Sequence, residues 1–334
     1  MEKINLKYRY FLGTHIMFYE IDLLSEYVDS IINALEDIEN KENITVEFCI
    51  NLSQYFENYL STNSRELVEK FHTTTEKLED LNAIVNIKYY TENDTPYTMT
   101  DYRREINDTN CNHYDYIIWG ETDCLLPKST FKHLDEIKDI TKSYGIHKYI
   151  TTFAVRKMWD DSWRVLEHSE FENEKYYEKS EALAFTEKHS IRTVWNQIEL
   201  DEFNSKFEDD PNYLILDQPK FDGSLLCISS DLIKAGCNIP RGVIGLSGED
   251  TSFMVSCMKI MDKQYRQIIV KNILKIHNRE HPEKRKYCTL KDGHVSTQDN
   301  KGDRYKKIRE LSKHNLNVYQ NSSQERFLTW QDFN

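Results

Sequence analysis

The sequence has no apolar run long enough to span a bilayer, which excludes a transmembrane helix of the usual length. The segment after Met1 leads into a strand-like stretch, so we expect no secretory signal peptide, no membrane insertion and a cytoplasmic protein. The seven cysteines are scattered and lack C-x-x-C spacing, which argues against both a disulfide framework and a zinc knuckle. They are predicted to be reduced thiols.

Glycine is also scarce, with 10 residues in a chain of 334. A nucleotidyltransferase with a related α/β sheet normally carries a glycine-rich phosphate loop near its first strand. Residues 11–15 (Phe-Leu-Gly-Thr-His) contain a single glycine. The nucleotidyltransferase class is therefore disfavoured, although it stays an alternative. The length suits one large α/β domain or two small ones with an ample core.

The net charge of −13 is unevenly distributed along the chain. Thirteen basic and six acidic residues lie between Lys271 and Lys313, which gives this segment a local charge of +7. A segment of this kind offers a binding surface for phosphate groups. The alternative is a solvent-exposed basic helix around residues 304–309, because runs of charge usually lie on exposed faces.

The first half of the sequence alternates predicted strands and helices. Short β-branched and aromatic runs indicate strands, and apolar residues with a 3.6-residue period indicate helices. The predicted strands are residues 8–14, 44–50, 83–90, a run ending at Glu121, 150–155, a strand after the turn at 221–224, and 268–276; the predicted helices are residues 21–38, 64–81, 97–107 and a segment ending near Met261. This order predicts an α/β fold with a mostly parallel central sheet and helices on both faces.

The predicted strand that ends at Glu121 delivers two carboxylates, Glu121 and Asp123, to its C-terminal end. Open α/β sheets place their chemistry at the carboxyl ends of their strands. Acids two residues apart can share one divalent cation, which can hold the diphosphate of a nucleotide-sugar as it leaves. The alternative is an ordinary strand followed by an acidic turn.

Two other patterns contain residues with catalytic or ligating side chains. Glu249 and Asp250 stand just before a predicted helix, where acids either stabilise the helix start or supply a general base. His277 follows the last predicted strand. A lone histidine is more often a surface or core residue than a ligand, so this residue needs its context.

The order of these motifs resembles the glycosyltransferases of the GT-A fold, most closely the family 2-like enzymes. The resemblance is carried by a strand closing on acid-x-Asp, a Gly-Ser turn at residues 223–224, a Glu-Asp pair before a helix and a histidine after the last strand. Residues 157–163 (Lys-Met-Trp-Asp-Asp-Ser-Trp) with Val165 and Leu166 are similar to members encoded by tailed phages. The resemblance spans residues 8–285 and implies a Rossmann-like fold with a polar C-terminal extension.

The resemblance implies a role for each acidic motif. Asp123 would bind a divalent cation, Mn²⁺ or Mg²⁺, directly. Glu121 stands where the family has its first Asp, and it would contact the ribose or complete the metal shell. His277 would be the C-terminal metal ligand. Asp250 and Glu249 would be the catalytic residues, with Asp250 as the base of an inverting reaction.

The resemblance also implies donor and acceptor contacts. Thr14 and Asn51 match positions that line the base pocket, although Asn51 stands where the family usually has Asp. Arg103 and Arg104 resemble a basic pair near the diphosphate, where guanidinium groups neutralise the leaving group. The residues that would line the acceptor side are Trp159, Asp222 and Gly223.

The implied domain organisation is one GT-A glycosyltransferase domain over residues 1–285. Residues 1–125 would form the nucleotide-sugar-binding half, and residues 126–285 the acceptor-binding and catalytic half. The polar, helix-prone segment 171–204 is a predicted insertion. Residues 286–334 would form a basic, polar extension that is either partly disordered or binds the acceptor.

The predicted activity is transfer of a sugar from a nucleotide-sugar, with a UDP-sugar as the favoured donor, to a hydroxyl acceptor. The phage-like motif and the basic segment favour hydroxymethylcytosine in DNA, which would have to be flipped out of the duplex. The alternative acceptor is a surface polysaccharide or another glycan. A non-catalytic carbohydrate- or nucleic-acid-binding module is a further alternative, but it would not need Asp123, Asp250 and His277 together.

Overall fold

The computed structural model describes residues 3–17, 20–53, 69, 72–74, 76–79, 81–90, 95, 97–155, 194–216, 222–243, 248–278, 281 and 302–332. Several parts of the sequence-based prediction lie outside the described residues. They are the motif at residues 157–166 with the acceptor residue Trp159, residues 171–193 of the predicted insertion, half of the helix predicted over residues 64–81, and residues 279–280 and 282–301 of the basic segment.

The described residues form nine strands and seven α-helices. The strands are β1 (Tyr10–Met17), β2 (Ile44–Ser53), β3 (Ile84–Tyr90), β4 (Tyr116–Gly120), β5 (Cys124–Leu125), β6 (Tyr149–Val155), β7 (Tyr213–Ile215), β8 (Leu226–Ser229) and β9 (Arg266–His277). The helices are α1 (Ile21–Leu35), α2 (Met99–Asn110), α3 (Thr130–Ser143), α4 (Gln197–Asn204), α5 (Ser230–Lys234), α6 (Glu249–Met261) and α7 (Gly302–Asn321).

One mixed sheet contains all nine described strands. Its order is β3-β2-β1-β4-β8-β6-β9-β5, and β7 also pairs with β9. β1 pairs in parallel with β2 and β4, and β2 pairs in parallel with β3. β8 is antiparallel to both β4 and β6. The predicted α/β fold with a largely parallel sheet is confirmed, and the antiparallel β8 was not predicted.

Both faces of β4 are buried, and neighbouring residues of this strand point to opposite faces of the sheet. Tyr116 and Ile118 belong to one hydrophobic cluster, which includes residues of α1 and α3. Ile117 and Trp119 belong to a second cluster, which includes residues of α2 and α6. A strand buried on both faces reads as a continuous apolar run, which is the pattern that identified β4.

The predicted element boundaries differ from the observed ones by a few residues. The helix predicted to start at residue 97 begins at Met99, because Thr98 and Asp101 form a reciprocal capping box at its start. The last strand is longer than predicted and begins at Arg266. Its register against β6 shifts between Phe153 and Ala154, which lengthens β9 relative to its neighbour.

The C-terminal extension contains a regular helix, α7, within the described residues. None of the helices in the described part of the chain is both long and apolar enough to cross a membrane. Six of the seven cysteines are described, and all six are buried free thiols. Cys288 lies outside the described residues.

Candidate active site

Three potential metal ligands meet at the carboxyl end of β4. Glu121 follows β4 directly, and the next turn leads into β5, whose Cys124 is paired with His277 at the end of β9. The backbone N–H of Asn278 donates a hydrogen bond of 2.6 Å to the carbonyl oxygen of Asp123. This strand pairing brings Glu121, Asp123 and His277 together, with one ligand atom of each within 4.8 Å of the others.

The imidazole of His277 lies between the two carboxylates. Its Nε2 is 3.3 Å from Oε2 of Glu121 and 3.4 Å from Oδ2 of Asp123. Burial lowers the pKa of His277, but the two carboxylates outweigh burial and raise it. Burial raises the pKa of Glu121, but His277 and the charge of Arg103 outweigh it and lower the pKa to about 2. The cluster is therefore arranged to hold positive charge.

The donor set of this cluster fits a divalent cation. Carboxylate oxygens suit both Mg²⁺ and Mn²⁺, whereas an imidazole nitrogen favours a transition-metal ion over Mg²⁺. A cation in place of the His277 proton would keep positive charge between the two carboxylates. The residues present therefore fit Mn²⁺ better than Mg²⁺.

Arg103 of α2 links the cluster to helix α6. Its side chain is 2% exposed, and its guanidinium donates hydrogen bonds of 2.8 Å to Glu121 and 2.6 Å to Glu249. The guanidinium carbon lies 4.9 Å from the ring centroid of Trp119, at the distance of a cation–π contact. The sequence predicted that Arg103 contacts a diphosphate, and in the structure two of its donors are occupied by carboxylates.

Arg104 contacts a different part of the chain. It donates hydrogen bonds to the carbonyl oxygens of Ile239 at 3.1 Å and Pro240 at 3.0 Å. It also donates a bond of 3.0 Å to Asp101 within α2. Of the two predicted arginines, the structure brings Arg103 to the acid cluster and Arg104 to the loop that follows α5.

Helix α6 begins with Glu249 and Asp250, after Gly248 in the left-handed region with φ of 86°. Glu249 is 5% exposed. Burial, partly offset by the charge of Arg103, raises its pKa to about 7. Asp250 is half-buried, and its Oδ1 accepts a hydrogen bond of 2.6 Å from the N–H of Thr251. Burial also raises the pKa of Asp250. Glu249 thus pairs with Arg103, while Asp250 is the more accessible carboxylate.

Gly223 lies close to Asp250 of α6 and to Arg103 of α2. A Cβ at this position would lie 2.9 Å from Cβ of Asp250 and 3.2 Å from Nη1 of Arg103. Real Cβ contacts are longer than the first of these distances, so a side chain at Gly223 would displace Asp250. The predicted acceptor residue Gly223 therefore lies beside the predicted base.

Asp222, also predicted on the acceptor side, is held by three donors. It accepts hydrogen bonds from the N–H and hydroxyl of Ser224 at 3.1 and 2.8 Å, and its Oδ2 lies 2.5 Å from Nζ of Lys275. Lys275 is fully buried two residues before His277. Burial raises the pKa of Asp222, but the charge of Lys275 outweighs burial and lowers it. Lys275 was not predicted, although a lysine within the apolar run 273–276 was a visible signal.

The predicted base-pocket residues Thr14 and Asn51 are both fully buried. The hydroxyl of Thr14 lies 2.8 Å from that of Tyr27, so it is used within the fold. Nδ2 of Asn51 donates a bond of 2.7 Å to the carbonyl of Tyr97, and its Oδ1 has no hydrogen-bond partner among the described residues. Burial lowers the pKa of the adjacent His15 to about 3. Asn51 therefore retains a hydrogen-bond acceptor beside a neutral imidazole.

No protein-family model and no curated protein matches the sequence. The structure is similar to several solved structures at low sequence identity. Residues 1–349 of S. aureus TarS are 11% identical, with a TM-score of 0.40 over 80% of this chain and 59% of that chain. The mannosyltransferase PcManGT from Pyrobaculum calidifontis, in complex with GDP-Man and Mn²⁺, is 13% identical, with a TM-score of 0.44 over 96% of this chain and 66% of that chain. Glucosyl-3-phosphoglycerate synthase from Mycobacterium tuberculosis, in complex with Mn²⁺, UDP and glucosyl-3-phosphoglycerate, is 9% identical, with a TM-score of 0.40 over 81% of this chain and 72% of that chain. The chain thus spans less than two thirds of the TarS and PcManGT chains.

Proposed function

We propose that the protein is a metal-dependent glycosyltransferase that moves a sugar from a nucleotide-sugar, with a UDP-sugar as the favoured donor, to a hydroxyl group. The cluster of Glu121, Asp123 and His277 at the carboxyl end of β4 carries this proposal. Open α/β sheets bind nucleotides at this edge, and the cluster fits the kind of cation that accompanies a diphosphate. The motif order that resembles GT-A enzymes supports the same activity.

In this proposal Asp123, Glu121 and His277 hold the cation. When bound, the cation stabilises the negative charge that develops on the leaving diphosphate. Arg103 fixes the Glu121 carboxylate through a bond of 2.8 Å, so this ligand is already oriented before the donor binds. Asn51 offers its side-chain oxygen, which accepts no hydrogen bond from a described residue, to an N–H group of the nucleotide base.

Asp250 is the proposed base. It removes the proton from the acceptor hydroxyl as the acceptor oxygen bonds to the anomeric carbon and the bond to the diphosphate breaks. The carboxylate must be ionised to do this. Burial opposes ionisation, while the N–H of Thr251 and the charge of Arg103 favour it. Glu249 is bonded to Arg103 and has a positioning role in this proposal.

The hydroxymethylcytosine acceptor is supported by the basic segment between Lys271 and Lys313. Lys275 belongs to this segment but cannot contact phosphate, because it is buried and paired with Asp222. Binding through the remaining basic residues would weaken steeply with salt, since each phosphate contact releases counterions. DNA binding that does not depend on salt would contradict this acceptor and leave a glycan as the alternative.

The test is a panel of nucleotide-sugars with the full chain and Mn²⁺, following nucleoside diphosphate release. We expect release that EDTA abolishes, and stimulation by DNA that contains hydroxymethylcytosine but not by unmodified DNA. Metal-dependent release stimulated only by glycans would retain the enzyme class and change the acceptor. Pyrophosphate release from a nucleoside triphosphate would assign a nucleotidyltransferase, and ligand binding without release or metal dependence would assign a binding module.

A further inference from the structure

The C-terminal segment, residues 302–332, contacts Gly242, which precedes α6 in the chain. Asn315 is fully buried, and its Nδ2 donates a hydrogen bond of 2.6 Å to the carbonyl oxygen of Gly242. The same amide exchanges two hydrogen bonds of 2.8 Å with the backbone of Leu328. A Cβ at Gly242 would overlap the ring of Phe327, so the ring lies directly against the backbone of Gly242.

The same segment also contacts Gly248, the residue immediately before α6. A Cβ at Gly248 would lie 2.5 Å from Cδ2 of Leu316. Gly248 has φ of 86°, a backbone conformation that residues other than glycine rarely adopt. Glycine is therefore required here both by the backbone conformation and by the packing of Leu316. The next residue in the chain is Glu249, and Asp250 follows it.

The contact continues along α6. The hydroxyl of Tyr319 lies 2.7 Å from that of Ser256. The Nζ of Lys259 lies 4.6 Å from the centroid of the Tyr319 ring and donates a bond of 2.9 Å to Ser322. The C-terminal segment thus contacts the residue before α6, the middle of α6 at Ser256 and its last turn at Lys259, rather than a single point.

We propose that Leu316 is a positioning residue for Asp250, because its packing against Gly248 sets the start of α6. Leu316 packs against the backbone of Gly248, two residues before Asp250. Asn315 holds the backbone of Gly242 through a hydrogen bond. A shift of the backbone at Gly248 would move Asp250 relative to Gly223, where a Cβ would lie 2.9 Å from that of Asp250. The catalytic part of this inference rests on the proposed function.

The test compares Leu316→Ala with Leu311→Ala in the full chain. Leu311 lies on the same helix, is buried, and packs with Ile308 and Leu328 in a separate cluster. The two changes remove the same atoms from α7. We expect Leu316→Ala to lower kcat by about ten- to a hundred-fold, with the donor KM unchanged, because misplacement by about 1 Å can cost this much. Leu316→Met, which keeps the volume, should restore most of the rate.

Leu311→Ala should retain the wild-type kcat even if its melting temperature falls further than that of Leu316→Ala. Loss of kcat in both variants in proportion to their loss of stability would overturn the proposal, because the segment would then be only a stabilising one. A wild-type kcat in Leu316→Ala would overturn it as well.

Amide hydrogen exchange separates this inference from the proposed function. Leu316→Ala should speed exchange in residues 248–255 while Leu311→Ala does not, whether or not the wild type transfers a sugar. If the wild type shows no transfer, the proposed function fails, and faster exchange limited to Leu316→Ala would still support positioning of α6 by Leu316. Unchanged exchange in that variant would overturn the proposal.

Discussion

Replacement of Arg103 by methionine should reveal how strongly the acid cluster and helix α6 depend on one buried charge. Methionine keeps a long apolar stem but removes the guanidinium that bonds to Glu121 and Glu249 at 2.8 and 2.6 Å. The side chains of Arg103 and Glu249 are 2% and 6% exposed. Water therefore cannot replace the lost partner without opening the packing between α2 and α6.

Removing one partner of a buried ion pair costs about 3–5 kcal/mol, because the remaining charge is left uncompensated. We expect a loss of this size in the free energy of unfolding of Arg103→Met at about pH 8. Glu249 has a pKa of about 7, raised by burial above its ordinary 4.5. It is therefore mostly protonated at about pH 6, where the loss should be about 1–2 kcal/mol smaller.

The sign of the Glu249 contribution follows from proton linkage. Its folded pKa lies above its unfolded pKa, so the folded protein binds this proton more tightly. The proton's contribution to stability is present at low pH and is lost as the pH rises from 4.5 to about 7. Urea unfolding of the wild type, Arg103→Met and the double variant Arg103→Met/Glu249→Gln at the two pH values measures these effects.

Glu249→Gln should restore about 1–2 kcal/mol to Arg103→Met at about pH 8, because the amide leaves no buried acid to protonate. Arg104→Met is the matched control on the same helix. Its partners include the backbone carbonyls of Ile239 and Pro240, which do not titrate. A loss below about 1 kcal/mol in Arg103→Met, or no recovery in the double variant, would refute the reasoning.

Three further predictions concern the proposed reaction. Asp250→Asn should lower turnover by about 10²–10⁴-fold with little change in the donor KM, and Asp231→Asn, at the second position of α5, should not; a near-normal rate in Asp250→Asn would exclude Asp250 as the base. The affinity for Mn²⁺, measured by calorimetry, should increase as the pH rises through the raised pKa of His277 and then level off, because the proton must leave before the nitrogen can bind a cation. Asp123→Asn should abolish this binding, and an affinity independent of pH would argue against His277 as a ligand. Gly223→Ala should lower kcat, because its Cβ would lie 2.9 Å from that of Asp250; an unchanged kcat would show that Asp250 need not stay where the structure has it.

The local elements could be predicted because their signals are short-range. β4 is an apolar run buried on both faces, and α1 has a one-sided apolar pattern, so burial alone determines both. β5 contains two residues and offers no periodicity to detect. β8 lies antiparallel between two neighbours, and nothing in its own residues indicates that direction. The helix α7 lies in a polar segment whose few apolar residues gave a weak pattern.

The candidate site could also be predicted only in part. The sequence showed its potential ligands as acids at the end of a strand, and it showed the Glu249-Asp250 pair before a helix. It did not show which residues pair with the charged side chains. Arg103 and Arg104 are neighbours in sequence, yet they bond to different parts of the chain, since adjacent residues on a helix point about 100° apart.

By itself the sequence determined the alternating α/β order and the placement of carboxylates at a strand end, because side-chain periodicity and chain direction act locally. Tertiary structure alone decided that β5 pairs with β9, which brings His277 to Asp123. It also decided that Arg103 is shared by Glu121 and Glu249, and that Leu316 packs against the residue before α6. These contacts join segments that are distant in the chain, so no local pattern within either segment could reveal them.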